Sequence, residues 1–256
     1  MQIEVLGSSS FLPTIKGSWS SFFINLGNGD RILIDAGTRR ILGFRKDILD
    51  VSHIFITHRH TDHIMFLGAL LERMKRIKRK KPLTIFCPVN AFYHIQMFIR
   101  FFNPRGVPEF VDFETYTPND PEYLISFPKS NTEMWAASAC HTTMAAGYGI
   151  IQGKKKVVIV PDTRPNCKTL LALAKGASAL FHDCTFPTAV HTFAYSKGHS
   201  SPEGAGVDAA KAGVQTLVLI HTSRVRARDQ QTLIDGAARH FNGEIRVAAD
   251  NTTFTF

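Results

Sequence analysis

The chain has 256 residues, of which 44% are hydrophobic, and its formal net charge is +9 at pH 7. This length and composition suit one large α/β domain over residues 1–256, since no internal repeat or low-complexity linker divides the chain. The excess of basic residues favours anionic substrates such as phosphate esters over neutral ones.

The sequence lacks the signals of membrane insertion and export. It contains no stretch of about eighteen apolar residues and no charged start followed by a long apolar run. Cys87, Cys140, Cys167 and Cys184 are widely spaced and form no Cys-x-x-Cys pair, so we expect reduced, half-buried thiols. Together these features predict a cytoplasmic protein without a membrane segment.

Apolar runs predict strands in hairpins early in the chain and strands that alternate with helices later. The Asn28-Gly29-Asp30 segment between two apolar runs indicates a hairpin turn. Strands are predicted at Gln2–Leu6, Ser21–Leu26, Arg31–Asp35, Ile54–Thr57, Leu83–Phe86, Val111–Phe113, Tyr123–Phe127, Glu133–Cys140, Tyr148–Ile151, Lys156–Val160, Ala179–His182 and Leu217–Ile220. Helices are predicted at His63–Arg79, Asn90–Phe102, Asn166–Ala174, Pro202–Ala212 and Ala227–His240. This order indicates a two-sheet core with helices outside.

Four side chains that bind metal ions directly follow the predicted strand Ile54–Thr57. His58, His60, Asp62 and His63 fall within six residues. Two histidines two positions apart diverge on a helix, but they can converge where a strand ends in a turn. A lone histidine is more often solvated or hydrogen-bonded, but that reading is weak for four such groups together. The cluster therefore predicts a pocket for zinc first, with manganese or iron as alternatives.

Further ligand types follow, or lie within, other segments of strand-like composition. These residues are His141, Asp162, His199 and His221. An α/β enzyme builds its site by collecting side chains from several strand ends, so we expect these residues to join the first cluster.

At these residues the chain resembles the metallo-β-lactamase superfamily and, within it, the ribonuclease Z-like phosphodiesterases. The resemblance covers nearly the whole chain and implies a four-layer αβ/βα sandwich. It rests on Val5 to Ser10, Pro13, Ser20-Ser21, Leu33 to Gly37, His58 to His63, His141, Asp162-Thr163, His182 to Phe186, His199 to Ser201 and His221. The segment from His182 is similar to the family's His-Glu-Ala-Thr motif, and the segment from His199 to its His-Ser-Thr motif.

The resemblance implies two divalent metal ions with separate ligand sets. One metal would be held by His58, His60 and His141, and the other by Asp62, His63 and His221. Asp162 would bridge the two, because a shared carboxylate helps to hold two cations that repel each other. A hydroxide between the metals would then attack the phosphorus of a phosphodiester.

The resemblance also implies a general acid, because an alkoxide leaving group needs a proton. That role falls to His199, with Asp183 as the carboxylate that orients its ring; the implied catalytic residues are Asp62, Asp183 and His199. Asp183 is one methylene shorter than the family's usual glutamate. The alternative interpretation of Asp183 is a strand-end carboxylate bonded to nearby backbone.

Two other segments each allow two interpretations. The segment from Lys75 to Lys81 has six basic residues of seven, which fits a solvated helix end or an electrostatic footprint for phosphate backbones. On the second interpretation we assign substrate binding to Lys78, Arg79 and Arg224. The predicted helix Asn90–Phe102 is apolar on most sides, which is typical of a core helix or of a homodimer interface.

One departure from the family bears on the substrate. Bacterial ribonuclease Z enzymes typically carry a long RNA-gripping arm between the ligands matched by His141 and Asp162. Only twenty residues, Thr142 to Pro161, separate them here, which leaves room for a hairpin. We expect a dinuclear phosphodiesterase resembling ribonuclease Z. The alternatives are a phosphodiesterase for cyclic nucleotides or alkyl phosphodiesters, and a non-catalytic nucleic-acid-binding protein with structural metals.

Overall fold

Two seven-stranded sheets dominate the structure, a computed structural model that describes residues 1–11, 17–43, 45–187, 190–223 and 230–256. The strands in chain order are Gln2–Gly7 (β1), Ser21–Gly27 (β2), Asp30–Ile34 (β3), His53–Phe55 (β4), Leu83–Pro88 (β5), Val111–Tyr116 (β6), Glu122–Phe127 (β7), Thr132–Ala139 (β8), Ala145–Gln152 (β9), Lys155–Val160 (β10), Ala179–Asp183 (β11), Thr216–Ile220 (β12), Glu244–Val247 (β13) and Thr252–Thr255 (β14). The sheet orders are β14-β1-β2-β3-β4-β5-β6 and β13-β12-β11-β10-β9-β8-β7.

Each sheet has a set of antiparallel strands on one side and a set of parallel strands on the other. In the first sheet β3, β4, β5 and β6 run parallel. In the second sheet β10, β11, β12 and β13 run parallel, and β8 runs in their direction because two antiparallel pairings separate it from β10. Within each sheet, strands that run in the same direction bring their carboxyl ends to one edge, and side chains that follow them can meet there.

The helices cover the outer faces of the two sheets. They are Lys46–Leu49 (α1), Thr61–Ile64 (α2), Leu67–Arg76 (α3), Val89–Phe102 (α4), Lys168–Ala174 (α5), His191–Ser196 (α6), Pro202–Ala212 (α7) and Gln230–Ala238 (α8), with 3₁₀ turns at Arg39–Leu42 and Pro128–Ser130. The start of α7 follows the sequence directly, since the Ser201 hydroxyl accepts from Gly204 N–H and Pro202 occupies the first turn.

Three buried clusters account for the layering. Ile24 and Tyr148 belong to the cluster between the sheets. Leu70 and Ile95, from α3 and α4, pack with the outer face of the first sheet. Leu173 of α5 packs in the same way on the second sheet, with residues of α7 and α8. The order helix, sheet, sheet, helix confirms the predicted α/β class and the four-layer αβ/βα sandwich; the boundaries 1–256 stay a prediction.

Several local predictions differ from the structure. The predicted helix His63–Arg79 is two helices, because the chain turns at Phe66, whose N–H donates to the carbonyl of Ala36. The second of these helices ends at Arg76, before the predicted end at Arg79, and Ile77 after it is 54% exposed. The strands β13 and β14 were not predicted, since both are short, half-exposed edge strands without a clear apolar pattern. Residues 227–229 of the last predicted helix lie outside the described residues.

The apolar helix α4 buries one face in the core and exposes the other. Ala91, Ile95 and Ile99 are buried in the core. On the opposite side Tyr93 and Phe101 are 67% and 80% exposed, together with Val89 and Met97. This exposed stripe is compatible with a homodimer, which stays a prediction. Among the described residues no helix combines the length and apolar character that crossing a membrane requires.

The cysteine prediction is wrong for two of the four residues. Cys140 and Cys167 form a disulfide between the end of β8 and the start of α5, with a Cα–Cα distance of 5.6 Å. Cys87 and Cys184 are free and buried. No local pattern indicates this pair, because the two cysteines are 27 residues apart and meet only when α5 packs on β8. Disulfides are rare in the cytosol. The cysteines therefore do not support the prediction of a cytoplasmic location.

We expect the disulfide to stabilise the fold measurably. Replacing Cys140 and Cys167 by serine should lower the free energy of unfolding by about 2–4 kcal/mol, because the cross-link restricts the unfolded chain. Urea denaturation measures this loss, and a reducing agent should destabilise the parent but not the double variant. Thiol titration of the unfolded, unreduced parent should find only the thiols of Cys87 and Cys184; titration of all four cysteines would contradict the cross-link.

Candidate metal centre

The structure brings all seven predicted metal ligands together where strands of both sheets end. His58 follows β4, His141 follows β8, Asp162 follows β10 and His221 follows β12. Two groups of donor atoms form, each with its atoms within 4.8 Å of one another. The groups are His58, His60, His141 and Asp162, and Asp62, His63 and His221. These are the two ligand sets that the resemblance implies.

Asp162 lies between the two groups. Its Oδ2 is 3.5 Å from His58 Nε2 and 3.4 Å from His141 Nε2. Its Oδ1 is 3.3 Å from the Nε2 atoms of both His63 and His221. One oxygen of the buried carboxylate therefore faces each group, which is the arrangement of a bridging ligand.

The first group directs three imidazole nitrogens to one point. His141 Nδ1 donates to the carbonyl of Gly198 at 2.7 Å, and His58 Nδ1 donates to the Thr57 hydroxyl at 3.1 Å, so both Nε2 atoms carry lone pairs. His60 Nδ1 lies 2.9 Å from His58 Nε2 and 3.2 Å from His141 Nε2. Nitrogens around a tetrahedral zinc are separated by about 3.3 Å. Converging lone pairs at such distances repel unless a cation lies among them.

The second group is arranged in the same way. His63 Nδ1 donates to Asp35 Oδ2 at 2.6 Å, and His221 Nδ1 donates to the Thr185 hydroxyl at 2.8 Å. Their Nε2 atoms therefore face Asp62 and Asp162. Among the described residues, His63 Nε2 and Asp162 Oδ1 are buried without a hydrogen-bond partner. A buried polar atom without a partner is costly, and a metal ion would satisfy both atoms.

Burial and neighbouring charges set the protonation of these side chains. Burial lowers the pKa of His58 well below its ordinary value and that of His60 to about 4, so both imidazoles are neutral. Burial alone would raise the pKa of Asp162, but the surrounding imidazoles, His221 first, bring it well below its ordinary value. These are the donor forms that a divalent cation needs. Burial alone would lower the pKa of His63, but Asp35 and Asp162 bring it well above its ordinary value, so a bound cation would displace a proton from this ring.

Asp35 supports the site and was not predicted as a site residue. It accepts hydrogen bonds from the Thr57 N–H at 2.9 Å, from the Thr57 and Ser20 hydroxyls, and from His63. Its φ of +59° and that of His221, +57°, are unusual for residues with a side chain, and such conformations cluster at functional sites. The available signal was a carboxylate that directly follows an apolar strand.

The predicted general acid and its partner are in direct contact. His199 Nδ1 lies 2.8 Å from Asp183 Oδ2, so the shorter aspartate still reaches the ring. Asp183 also accepts from the backbone N–H groups of Thr163 and Thr185, so its alternative role as a bonded strand-end carboxylate applies as well. Burial lowers the pKa of His199, but Asp183 outweighs it and raises this pKa to about 9.

His199 has a competing geometric assignment. Its ring, Asp162 and His221 form a third group of donor atoms close enough to hold a metal ion. However, His199 Nδ1 is 3.9 Å from Asp162 and 2.8 Å from Asp183. The ring is therefore oriented by Asp183 rather than by the first two groups.

The metal ligands open into a cleft of about 440 Å³. His60, Asp62, Asp162, His199 and His221 line it. Structural zinc sites are normally closed by four protein ligands, whereas catalytic sites keep an open position. An open cleft is the arrangement that lets a substrate reach the metals.

The side chain of Arg79, which was predicted to bind substrate, is hydrogen-bonded to the backbone. Its guanidinium donates to the carbonyls of Leu49, Val51, Lys81 and Pro82, at distances from 2.5 to 3.0 Å. Four of the five N–H groups of the side chain are thus used in holding the loop after α3. These hydrogen bonds give Arg79 a structural role, and its role in substrate binding stays a prediction.

The two other predicted substrate-binding residues have different outcomes. Lys78 is exposed and lines a second cleft of about 610 Å³ with Lys75, Lys80 and Arg105. None of the residues that line this basic cleft also lines the metal cleft. Arg224 lies outside the described residues.

Comparison with known proteins agrees with the site. Residues 30–222, which are most of the chain, match the family described as the β-lactamase superfamily domain. The chain therefore belongs to this superfamily. It is a metal-dependent hydrolase that is similar to ribonuclease Z proteins.

Individual relatives cover almost the whole chain. The ribonuclease Z of Archaeoglobus fulgidus is 25% identical, over 95% of this chain and 94% of that protein. The metallo-β-lactamase fold protein YhfI of Bacillus subtilis has a TM-score of 0.81 and 21% identity, over 99% of this chain and 98% of that one. The short form of human tRNase Z has a TM-score of 0.78 and 21% identity, over 100% and 99%. The two solved structures bear on the fold alone.

We expect Asp35→Asn to weaken metal binding about 10- to 100-fold, because the amide no longer holds the Nδ1–H of His63 and so no longer fixes its Nε2 towards the metal. Competition of the protein with a chromogenic chelator for Zn²⁺ measures this change. Asp250→Asn is the matched control, since Asp250 accepts from the Ser8 N–H and hydroxyl and contacts no metal ligand. Equal affinities of the Asp35 variant and the parent would contradict the role of Asp35.

Proposed function

We propose that the protein is a dinuclear metal-dependent phosphodiesterase that cleaves RNA in the manner of ribonuclease Z. The observation that carries the proposal is Asp162, whose two oxygens each face one group of buried imidazoles. The donor set suits two zinc ions first, with manganese or iron as alternatives. When bound, two such ions activate water near neutral pH and offset charge on the phosphoryl oxygens.

The chain's own residues divide the remaining work. Asp62, His63 and His221 hold one ion; His58, His60 and His141 hold the other. His199 lines the cleft, and its Nδ1–H is held by Asp183. Its Nε2 is the nitrogen left to give a proton to the departing oxygen. Asp183 positions the ring and stabilises the imidazolium from which the proton comes.

An RNA substrate is supported by the relatives and by the charge of the chain. The curated relatives that match nearly the whole chain are ribonuclease Z proteins. The net charge of +9 and the basic cleft at Lys78 and Lys80 supply cations for a phosphate backbone. We propose that this cleft holds RNA away from the metals.

A second candidate is a phosphodiesterase for small substrates. Between His141 and Asp162 the chain forms the β9–β10 hairpin, whose turn contains only Gly153 and Lys154. This tight turn occupies the place of the RNA-gripping arm of bacterial ribonuclease Z enzymes. The third reading, a binding protein with structural metals, is disfavoured because the ligands open into a cleft.

We expect His199→Ala to lower hydrolysis of bis(p-nitrophenyl) phosphate about 100-fold or more, because the variant lacks the proton donor. Release of p-nitrophenolate measures the rate, and His240→Ala is the matched control because His240 is exposed and does not line the metal cleft. Metal content is measured in parallel. Loss of activity with both ions retained supports the acid, whereas loss of an ion would make His199 a ligand.

The RNA proposal has a separate test at the basic cleft. Lys78→Glu with Lys80→Glu should lower kcat/KM for a 3′-extended precursor tRNA about tenfold or more at low salt, because two phosphate contacts are reversed in charge. Hydrolysis of bis(p-nitrophenyl) phosphate should stay within about twofold, since these residues do not line the metal cleft.

The matched control for this charge reversal is Lys168→Glu with Lys175→Glu, which places the same change on exposed positions of and next to α5. Equal losses on RNA and on the small ester would show that the basic cleft is not an RNA platform. Faster turnover of 2′,3′- or 3′,5′-cyclic nucleotides than of precursor tRNA, under the same metal, would favour the small-substrate enzyme.

A further inference from the structure

An exposed aromatic ring lines the metal cleft and has no role in the proposed chemistry. Phe11 contributes to the cleft wall although its side chain is 59% exposed. Trp19 lies against it with the ring centroids 6.2 Å apart and the ring planes within 11° of parallel. Trp19 Nε1 also donates to the carbonyl of Phe11 at 3.1 Å. The two rings form an offset stack at the rim of the site.

Backbone hydrogen bonds fix this stack relative to a metal ligand. On one side Ser9 N–H donates to the carbonyl of Ser18 at 2.9 Å. On the other side Ser10 N–H donates to the carbonyl of Thr222, and Thr222 N–H donates to the carbonyl of Ser8. Because Thr222 directly follows His221, the segment that carries Phe11 is anchored to the loop that carries this ligand.

Gly7 allows the close approach that this anchoring requires. A Cβ atom at this position would lie 1.9 Å from the carbonyl oxygen of Trp19, which no side chain can tolerate. The position of Trp19 beneath Phe11 is therefore set by main-chain packing. A ring fixed in this way loses little conformational entropy when a ligand stacks on it.

A second aromatic pair lies on the His199 side of the cleft. Phe186 lines the cleft, and its ring centroid is 5.9 Å from that of His199. Phe193, 52% exposed, meets Phe186 edge to face at 5.4 Å. Phe186 is covered in part by this packing, so Phe11 is the more open of the two stacking surfaces.

We propose that Phe11, backed by Trp19, stacks on the nucleobase of a nucleotide adjoining the scissile phosphate. An open, preorganised aromatic face beside a phosphodiester site recognises the flat surface that every nucleobase offers and that an alkyl group lacks. The ligand class is thus a nucleoside phosphodiester rather than an alkyl phosphodiester. This inference rests on the proposed phosphodiesterase function and specifies its substrate class.

Two substrates with the same leaving group test the inference. Thymidine 5′-(4-nitrophenyl phosphate) and methyl 4-nitrophenyl phosphate differ only in the nucleoside. Phe11→Ala should lower kcat/KM for the thymidine ester about 5- to 100-fold, as expected for one lost base stack, and change the methyl ester less than about twofold. Phe11→Trp should restore the preference. Phe101→Ala is the matched control, because this ring is 80% exposed on α4 and does not line the metal cleft.

Trp19 provides a measurement that is independent of turnover. The chain has two tryptophans, so Trp135→Phe leaves Trp19 as the only one. Thymidine 5′-monophosphate should change its fluorescence saturably, whereas methyl phosphate should not. The same response to both ligands, or to neither, would overturn the stacking role.

The outcomes separate this inference from the proposed function. If the parent cleaves both esters and Phe11→Ala affects them equally, the enzyme is a phosphodiesterase without a base-stacking site, and the inference fails alone. If the parent cleaves neither ester, the proposed function fails, and the Trp19 titration then decides whether Phe11 binds a nucleobase.

Discussion

The buried carboxylate of Asp162 lies at the centre of the candidate metal site, and the other donor side chains are arranged around it. Asp162 faces four imidazole nitrogens, two with each oxygen, and the other nitrogen of each ring is hydrogen-bonded to the surrounding protein. A buried charge surrounded by lone pairs is unstable on its own. Divalent cations bound among these atoms would resolve the conflict, which is the physical reason to interpret the arrangement as a metal centre.

The rest of the fold holds these donors in place. Asp35, Thr57, Thr185 and the carbonyl of Gly198 fix which ring nitrogen each histidine turns towards the metals. Such partners raise the basicity of the ligands and limit their rotation. The cost is visible in the backbone, where Asp35 takes a left-handed conformation. The Cys140–Cys167 disulfide ties the strand end just before His141 to a helix, which adds a covalent restraint close to the site.

The two proposed recognition surfaces differ in chemistry. The metal cleft carries Phe11 and Phe186, which suit the flat and apolar parts of a nucleotide. The basic cleft at Lys78 and Lys80 suits phosphates and has no lining residue in common with the metal cleft. Arg79 lies between these lysines in the sequence, but its guanidinium donates to four backbone carbonyls. Basic residues that are neighbours in the sequence therefore differ in their surroundings, because the Arg79 side chain is hydrogen-bonded to the backbone whereas the Lys78 and Lys80 side chains are exposed.

The sequence alone determined the features that depend on short-range order. Strand positions follow from local apolar runs, the two-sheet core with helices outside from their order, and the cluster from His58 to His63 from its spacing after a strand. The positions of His141, Asp162 and His221 near strand ends marked them as further ligands. The resemblance then implied the αβ/βα sandwich and divided the ligands between two metals, and the structure brought all three residues to the cluster.

Only the tertiary structure decided the features that join distant parts of the chain. Three such contacts link residues 27 to 30 positions apart. They are the hydrogen bond between His63 and Asp35, the disulfide between Cys140 and Cys167, and the hydrogen bond from Arg79 to the carbonyl of Leu49. No local pattern marks such contacts, because each depends on how helices and strands pack against one another. The edge strands β13 and β14 belong to the same class, since neighbouring strands rather than their own residues make them strands.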